Sequence, residues 1–324
     1  MGKWKLPPEG GHMDKPTGIY FQTMTGKEIE EKLKVNDVII IPVGSTEAHG
    51  PNAPPGEDTF IVTRFAEAVA KATGCTVAEP IWYGSHPYHH IGMPGTIVVD
   101  DDVFKAYLRS VMAGFWNAGF RKQILLNGHG QEYVIPSAIH QFVKRFQVPG
   151  IFVNVNWWHI TPNELKDREH GGPFETPFIH ADEVETSVSL ALFPELVKME
   201  YAVDTTPQTL LPSITSKYLD KAANIYQRPI KWYEHVGLGP MEVYAYPPGC
   251  VGKATLASAS KATGAVEGVL NFLTELVNEI LKKYPPGVLP PYEQLTQRSK
   301  DEIDALVKGP LKGGRHIYTV AYPP

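Results

Sequence analysis

The most constraining feature of the sequence is an apolar run, residues 38–43, that gives way within a few residues to glycine, carboxylate and imidazole. The run reads Val-Ile-Ile-Ile-Pro-Val and predicts a strand that is buried on both faces. Glu47 and His49 follow it directly. Because open α/β sheets build their sites from residues just beyond the carboxyl ends of strands, we expect a functional site here.

Strand-like and helix-like segments alternate along the chain. A capping box, Thr25 to Glu28, opens a short helix before the first strand. Further apolar segments predict strands over residues 76–83, 123–126 and 151–156. Apolar residues at helical spacing predict helices over residues 59–73, 101–117, 134–146, 183–192 and 265–283. This alternation predicts an α/β fold with a mostly parallel sheet covered on both faces.

Composition divides the chain into three parts. Residues 1–24 are rich in Pro, Gly and Lys and predict an arm on the surface or on a neighbouring subunit. Residues 25–284 hold the alternating elements in a single domain, within which residues 201–250 show little periodicity and predict loops and short strands. Residues 285–324 are a Pro-rich C-terminal extension with a short helix over 300–307, expected on the surface or in a subunit contact.

Charge and cysteine usage narrow the class of partner. The 324 residues carry a net charge of -5 with both signs interspersed, which predicts neither a nucleic-acid face nor a membrane patch and leaves a small molecule as the expected partner. Cys75 and Cys250 are far apart and outside any C-x-x-C motif, which fits a reducing cytoplasm. The first residues lack the apolar core of a signal peptide, and no run reaches transmembrane length.

Three side chains after the first strand have the chemistry of metal ligands. Glu47 and His49 are two residues apart, so they point the same way in an extended segment, and Asp58 can return to them across a Pro/Gly-rich loop. Neutral imidazole with carboxylates suits Zn, Mn or Fe. The alternative is a polar loop with a capping Asp before the next helix.

A second strand end carries His129, in Asn127-Gly128-His129-Gly130. If its strand neighbours the first, His129 would reach the same sheet edge as His49. The alternative is a helix-entry turn with an incidental histidine.

A third segment places His180 before a helix whose first turns are acidic. We interpret Asp182 and Glu183 as partners of the helix dipole. Glu185 lies deeper in an otherwise apolar helix, where a carboxylate needs a cation or hydrogen-bond donors to offset its desolvation.

Four motifs, in this order, resemble the creatininase (creatinine amidohydrolase) family. They are Glu47 to Pro51 with Asp58, Asn127 to Gly130, His180 with Glu185 to Ser187, and Gly249 to Ser258. The resemblance covers about residues 25 to 283. It implies a three-layer αβα sandwich, a site for one or two Zn²⁺ or Mn²⁺ ions, and a homohexamer.

The resemblance also implies a metal-binding role for each matching residue. Glu47 and His129 would bind one metal, His49 would bind the other, and Asp58 would bridge both. Glu185 would serve as a fifth ligand.

The same resemblance implies a mechanism. Metal-activated water would attack an electrophilic carbon, and His180 would act as the general acid that protonates the leaving group. A substrate-facing indole corresponds to Trp158 or its neighbour Trp157.

Two positions depart from the creatinine-hydrolysing members. Gln131 stands where those members have a carboxylate that completes the second metal site, so the missing ligand falls to Glu185, with Glu132 the next candidate. Asn52 stands where a histidine is usual. We therefore predict that Gln131 and Asn52 contact a substrate other than creatinine.

A histidine-rich loop, residues 85–96, adds His86, His89 and His90. Imidazoles there suit a hydroxylated, polar substrate, and we predict that His89 and His90 contact it. The alternative is that all three are loop histidines hydrogen-bonded to backbone.

Two chemistries are open for the reaction. One is hydrolysis of a C–C bond in a cyclic diketone, as the resemblance implies for the branch of the family that opens 3-dehydro-scyllo-inosose during inositol breakdown. The chain's length, its tail and the histidine-rich loop favour this branch. The other is hydrolysis of a cyclic amide or a formamide, as in creatinine. A non-catalytic metal- and sugar-binding module is a third possibility, against which the retained ligands and His180 argue.

Overall fold

Residues 38–43 form a central strand of a parallel sheet. The computed structural model describes residues 18–86, 92–206 and 248–320. Its strands are β1 (Val38–Val43), β2 (Thr76–Val77), β3 (Lys122–Asn127) and β4 (Ile151–Asn156). They pair in the order β2-β1-β3-β4, and every pairing is parallel. The predicted parallel sheet is confirmed.

Helices precede and follow these strands as the sequence predicts. Their bounds are α1 Gly26–Val35, α2 Glu57–Thr73, α3 Asp101–Ala118, α4 Val134–Phe146, α5 Glu183–Leu192, α6 Thr263–Lys283 and α7 Lys300–Lys308. The capping box is present, because the Thr25 side chain accepts from the Glu28 N–H and the Glu28 carboxylate accepts from the Thr25 N–H.

The sheet separates two apolar layers. Val38 and Ile40 face a cluster built with α2 and α6, whereas Ile39 and Ile41 face a cluster built with α3 and α4. Successive strand side chains point to opposite faces, so one apolar run serves both layers. The three-layer αβα sandwich is confirmed.

The predicted strand over residues 76–83 is wrong beyond Val77. Pro80 has no N–H to give to a ladder, so regular pairing stops and the chain follows β1 irregularly. Ile81 still donates its N–H to the Pro42 carbonyl at 3.0 Å, and it forms an isolated bridge to Val43. The segment therefore stays against β1 and brings Ser85 and His86 to the sheet edge.

Segments from both ends of the described chain pack on this sandwich. Tyr20 is buried and forms a parallel bridge to Val77 beside β2. In the C-terminal extension, Ile303 and Leu306 on α7 and the later Ile317 are buried in the α3/α4 cluster. The predicted helix at 300–307 is confirmed, and it packs on its own subunit.

Predictions for most of residues 1–24 and 201–250 fall outside the described ranges. Among the residues that the structure describes, no helix combines the length and the apolar composition that a membrane crossing requires.

A buried ion pair ties the chain after α6 to the amino end of the sheet. The Lys122 ammonium donates to Asp37 Oδ1 at 2.7 Å and to the carbonyls of Tyr284 and Pro285 at 2.6 and 2.9 Å. Asp37 Oδ2 accepts from the Gly287 N–H at 3.0 Å. Lys122 is fully buried, so this pair fixes the start of the C-terminal extension.

Candidate metal centre

The candidate site forms because β1 and β3 end side by side. Val43 pairs with Asn127 in the parallel register, so the segments carrying His49 and His129 leave the sheet at the same edge. The exit of β3 lies against the first turn of α2, where a Cβ on Gly128 would lie 2.2 Å from the Asp58 carbonyl oxygen. Only glycine permits this approach.

Five buried side chains converge at this edge. His129 Nδ1 lies 2.6 Å from Glu47 Oε2 and 3.1 Å from Asp58 Oδ2. His49 Nε2 lies 3.3 Å from Asp58 Oδ1 and 3.7 Å from Glu185 Oε2. The two oxygens of Asp58 thus face two different imidazoles, which is the disposition that a bridging carboxylate requires.

These short contacts lack the geometry of hydrogen bonds. Neither ring nitrogen of His129, nor His49 Nε2, nor Asp58 Oδ2 has a hydrogen-bond partner among the described residues, although all are buried. Buried polar atoms are normally paired. Ring nitrogens and carboxylate oxygens that converge without hydrogen-bond geometry fit a bound cation, and imidazole with carboxylate suits Zn²⁺ or Mn²⁺.

The electrostatics also favour a cation. Burial alone lowers the pKa of His129, but the carboxylates of Glu47 and Asp58 outweigh it and raise that pKa to about 10. Burial raises the pKa of Glu185 well above its ordinary value. The pocket therefore holds more negative charge than its surroundings solvate, and a divalent ion would compensate for that charge.

Backbone carbonyls orient two of the imidazoles. His49 Nδ1–H donates to the Glu47 carbonyl at 3.0 Å, which leaves Nε2 facing the carboxylates. His180 Nε2–H donates to the Ala48 carbonyl at 2.8 Å, and its Nδ1 lies 3.8 Å from Glu185 Oε2. The two rings are 4.7 Å apart. An outer hydrogen bond of this kind fixes the tautomer of a metal-binding histidine.

The acidic start of α5 divides into structural and site residues. Asp182 caps the helix by accepting the N–H groups of Val184 and Glu185 at 2.8 and 3.1 Å. The Glu183 carboxylate accepts from Lys261 Nζ at 2.6 Å and from the Thr176 N–H at 2.9 Å. Asp182 therefore caps the helix, whereas the Glu183 carboxylate ties the helix start to Lys261 and to the backbone at Thr176.

The Glu185 carboxylate is held toward the site by a hydrogen bond from the backbone of Ala181, which has a left-handed conformation. Its Oε2 accepts from the Ala181 N–H at 2.6 Å, and Ala181 has a φ of 48°. This left-handed conformation is costly for alanine, and strain of this kind clusters at functional sites.

The motif Gly249 to Ser258 holds the loops of His49 and His180 together. The Val251 N–H donates to the His180 carbonyl at 2.9 Å, and the Gly50 N–H donates to the Gly249 carbonyl at 3.0 Å. A Cβ on Gly252, whose φ is 133°, would meet the Asp182 side chain at 2.8 Å. The fourth motif is therefore a structural support of the site.

Both the nitrogen and the oxygen of the Gln131 side-chain amide are hydrogen-bonded within the protein. Its Nε2 donates to the Gly44 carbonyl at 3.0 Å and to Asn127 Oδ1 at 3.3 Å, and its Oε1 accepts from the Ser85 N–H at 2.9 Å. Of the two candidates for the missing ligand, Glu185 and Glu132, the structure brings Glu185 into the cluster. Glu132 belongs to none of the described groups whose ligand atoms could share an ion.

Changing Gln131 to Glu is expected to destabilise the protein rather than complete a metal site. A carboxylate would set an acceptor against the Gly44 carbonyl and Asn127 Oδ1, leaving buried acceptors unpaired at a cost of about 2–3 kcal/mol. Urea denaturation measures the loss. Gln141→Glu is the matched control, since exposed Gln141 accepts from Arg109 and a carboxylate keeps that role. A gain of bound metal in Gln131→Glu without lost stability would contradict this reasoning.

The predicted substrate contacts lie in different surroundings. Asn52 is buried, and neither atom of its side-chain amide has a hydrogen-bond partner within the described ranges, so the amide is available to hydrogen-bond a ligand. Trp157 packs in the core, with ring centroids 5.7 Å from Phe178 and 6.0 Å from Trp158. Trp158 belongs to the same buried cluster, so substrate contact remains a prediction for Asn52, Trp157 and Trp158 alike. His89 and His90 lie outside the described residues.

Two residues near the site were not predicted from the sequence as metal ligands or catalytic groups. His86 lies next to Glu47 and His129, and together these three could hold an ion. Glu57 is buried with one carboxylate oxygen bonded to the Ser189 hydroxyl, and burial raises its pKa to about 7. The sequence signal for Glu57 is its position directly before Asp58.

Comparisons with known proteins identify the family of the chain. The family model for creatininase, creatinine amidohydrolase, matches residues 22–277. The chain belongs to the creatininase family. It is therefore a hydrolase, and the family predicted from the motifs is confirmed.

Relatives within the family differ in activity. A 3-dehydro-scyllo-inosose hydrolase of Thermotoga maritima is 65% identical over 308 residues, which cover 95% of this chain and 98% of that protein. A creatinine amidohydrolase of Pseudomonas putida is 26% identical over 216 residues, covering 60% and 79%. A crystal structure of creatinine amidohydrolase matches with a TM-score of 0.63 at 23% identity, covering 83% of this chain and 99% of that one, and shows the shared creatininase fold.

Proposed function

We propose that this creatininase-family hydrolase opens the ring of 3-dehydro-scyllo-inosose, or a closely related cyclic diketone, by hydrolysing a C–C bond. The observation that carries the proposal is the 65% identity to the Thermotoga maritima hydrolase along nearly the whole of both chains. The buried His/Glu/Asp cluster supports it, because a hydrolase needs an activated water and a proton donor at one place.

The proposal includes one or two Zn²⁺ or Mn²⁺ ions. Solved creatininases include a manganese form and a Zn–Zn form. Glu47 and His129 would hold one ion, His49 and Glu185 the other, with Asp58 between them. A bound divalent ion lowers the pKa of water and stabilises negative charge on oxygen.

His180 is the proposed proton donor. Since its Nε2 is bonded to the Ala48 carbonyl, Nδ1 is the atom that can hold a proton toward the site. When the C–C bond breaks, its electron pair stays on the departing carbon, which must gain that proton. A second carbonyl can hold this electron pair meanwhile, which is why a diketone fits the chemistry.

Substrate contact, assembly and location complete the proposal. Buried Asn52 and Trp158 would orient the ring hydroxyls, with His89 and His90 from the histidine-rich loop. A cytoplasmic homohexamer follows from the family resemblance and the cysteine usage, and light scattering of the purified protein measures the assembly.

A substrate panel tests the reaction. We expect chelator-treated protein, reconstituted with Zn²⁺ or Mn²⁺, to consume 3-dehydro-scyllo-inosose with release of one carboxylic acid per turnover, followed by pH-stat and NMR. Creatinine and a formamide should react at least about 100-fold more slowly in kcat/KM, a difference of about 2.7 kcal/mol in transition-state binding. Faster turnover of creatinine would move the function to amide hydrolysis, and no turnover without metal should be seen for any substrate.

A further inference from the structure

His86 is a buried imidazole at the metal centre. Its ring centroid lies 4.5 Å from that of His129, and its Nδ1 lies 4.0 Å from Glu47 Oε1. One ligand atom from each of these three residues falls within 4.8 Å of the other two. That spacing is close to the separation of donors on one ion, which is at most about twice the bond length of about 2.0–2.2 Å from Zn²⁺ to nitrogen or oxygen.

The second ring nitrogen of His86, Nε2, contacts a buried hydroxyl group. Nε2 lies 2.5 Å from the hydroxyl oxygen of Ser45, which is fully buried just after β1. The Ser45 carbonyl in turn accepts from the Thr59 hydroxyl at 3.2 Å. Metal-binding histidines commonly donate their second ring N–H to an oxygen in this way, which directs the remaining lone pair at the ion.

The loop that carries His86 is fixed to both strands of the site. The Ser85 N–H donates to Gln131 Oε1 at 2.9 Å, and the Ser85 hydroxyl bonds the Asp101 carboxylate at the start of α3. Gly84 admits no side chain, because a Cβ there would lie 2.6 Å from Gln131 Oε1 and 2.9 Å from the Gly44 carbonyl oxygen. A ligand needs such support to hold its geometry.

We propose that His86 is an additional protein ligand, through Nδ1, of the ion that Glu47, His129 and the shared Asp58 would hold. The inference rests on the metal centre of the proposed function but not on the identity of the substrate. It also gives Gln131 a structural role, because its side-chain amide holds the segment of His86 instead of binding metal. A second neutral imidazole biases this position toward Zn²⁺, Mn²⁺ or Co²⁺ and away from Ca²⁺ and Mg²⁺.

Cobalt titration of the full-length protein tests the assignment. Chelator-treated wild type, His86→Ala and Ser45→Ala are titrated with Co²⁺, with d–d absorption and bound metal as readouts. We expect His86→Ala to lose one class of site, with affinity lower by roughly 100-fold or more, because a lost ligand costs more than a lost outer-shell partner. Ser45→Ala keeps the imidazole and should weaken the same class by about 10–100-fold. His140→Ala, at an exposed position on α4, should match wild type.

The outcomes separate the two proposals. Unchanged Co²⁺ spectra and affinity in His86→Ala overturn the assignment of His86 and leave the metal-dependent hydrolase standing. A wild-type protein that binds no Co²⁺, Zn²⁺ or Mn²⁺ overturns both. If His86→Ala fails to fold, as judged by urea denaturation of the chelator-treated protein, Ser45→Ala decides, and an affinity equal to that of wild type overturns the assignment.

Discussion

Replacing His180 with alanine is expected to lower kcat by about 10²- to 10⁴-fold, the usual contribution of a general acid, without loss of bound metal. The imidazole is buried and its Nε2 is bonded to the Ala48 carbonyl, so its Nδ1 is presented to the site. Without it, the departing carbon loses the proton donor that this geometry supplies. Steady-state kinetics on the best substrate of the panel, together with metal analysis, measures both quantities.

The metal content of His180→Ala distinguishes a metal ligand from a proton donor. His180 Nε2 lies 3.9 Å from Glu47 Oε1, and Glu47, His49 and His180 could themselves hold an ion. Loss of one ion in His180→Ala would make His180 a ligand and remove it as proton donor. Partial recovery of kcat with added imidazole and full metal content would support the proton-donor role. His140→Ala should retain both activity and metal.

Much of the fold is predictable from local pattern. The β-branched run of β1 and the acidic, apolar-periodic start of α3 define their elements without help from distant residues. The strand prediction over 76–83 failed because apolar, β-prone residues continue past Pro80, whereas a ladder needs an N–H at each paired position.

The site was predictable to the extent that it follows from strand ends. Glu47, His49 and His129 could be brought together because parallel strands end at one edge of a sheet, and their ligand chemistry is visible in the sequence. The place of His86 could not be predicted. It depends on an irregular segment that crosses to β1 through the bond between the Ile81 N–H and the Pro42 carbonyl, which no periodicity encodes.

The C-terminal extension shows the same limit. Its composition predicts a surface segment, yet Arg298 is buried, with its Nε donating to the Phe146 carbonyl at 2.6 Å.

Lys122 is another example, since a lysine at a strand boundary normally indicates a solvent-exposed end. Here it is the first residue of β3 and lies entirely inside. Burial of a charge depends on a partner distant in sequence, in this case Asp37.

Changing Lys122 to methionine is therefore expected to lower the free energy of unfolding by about 3–5 kcal/mol, the cost of leaving a buried partner charge uncompensated. Asp37 would keep its charge but would lose the ammonium at 2.7 Å, and the Tyr284 carbonyl would lose a donor at 2.6 Å. Urea denaturation at fixed protein concentration measures the loss.

Two companion variants distinguish a buried charge from a lost surface contact. Lys300→Met removes a pair of similar chemistry with exposed Asp304 on α7 and should leave the urea midpoint unchanged, because solvent screens exposed pairs. Adding Asp37→Leu to Lys122→Met should restore part of the lost stability, since no charge is then left unpaired inside. Recovery should be incomplete, because the Gly287 N–H and the Tyr284 carbonyl still lack partners. If the double variant is less stable than Lys122→Met, the loss comes from the detached chain after α6 and not from the Asp37 charge.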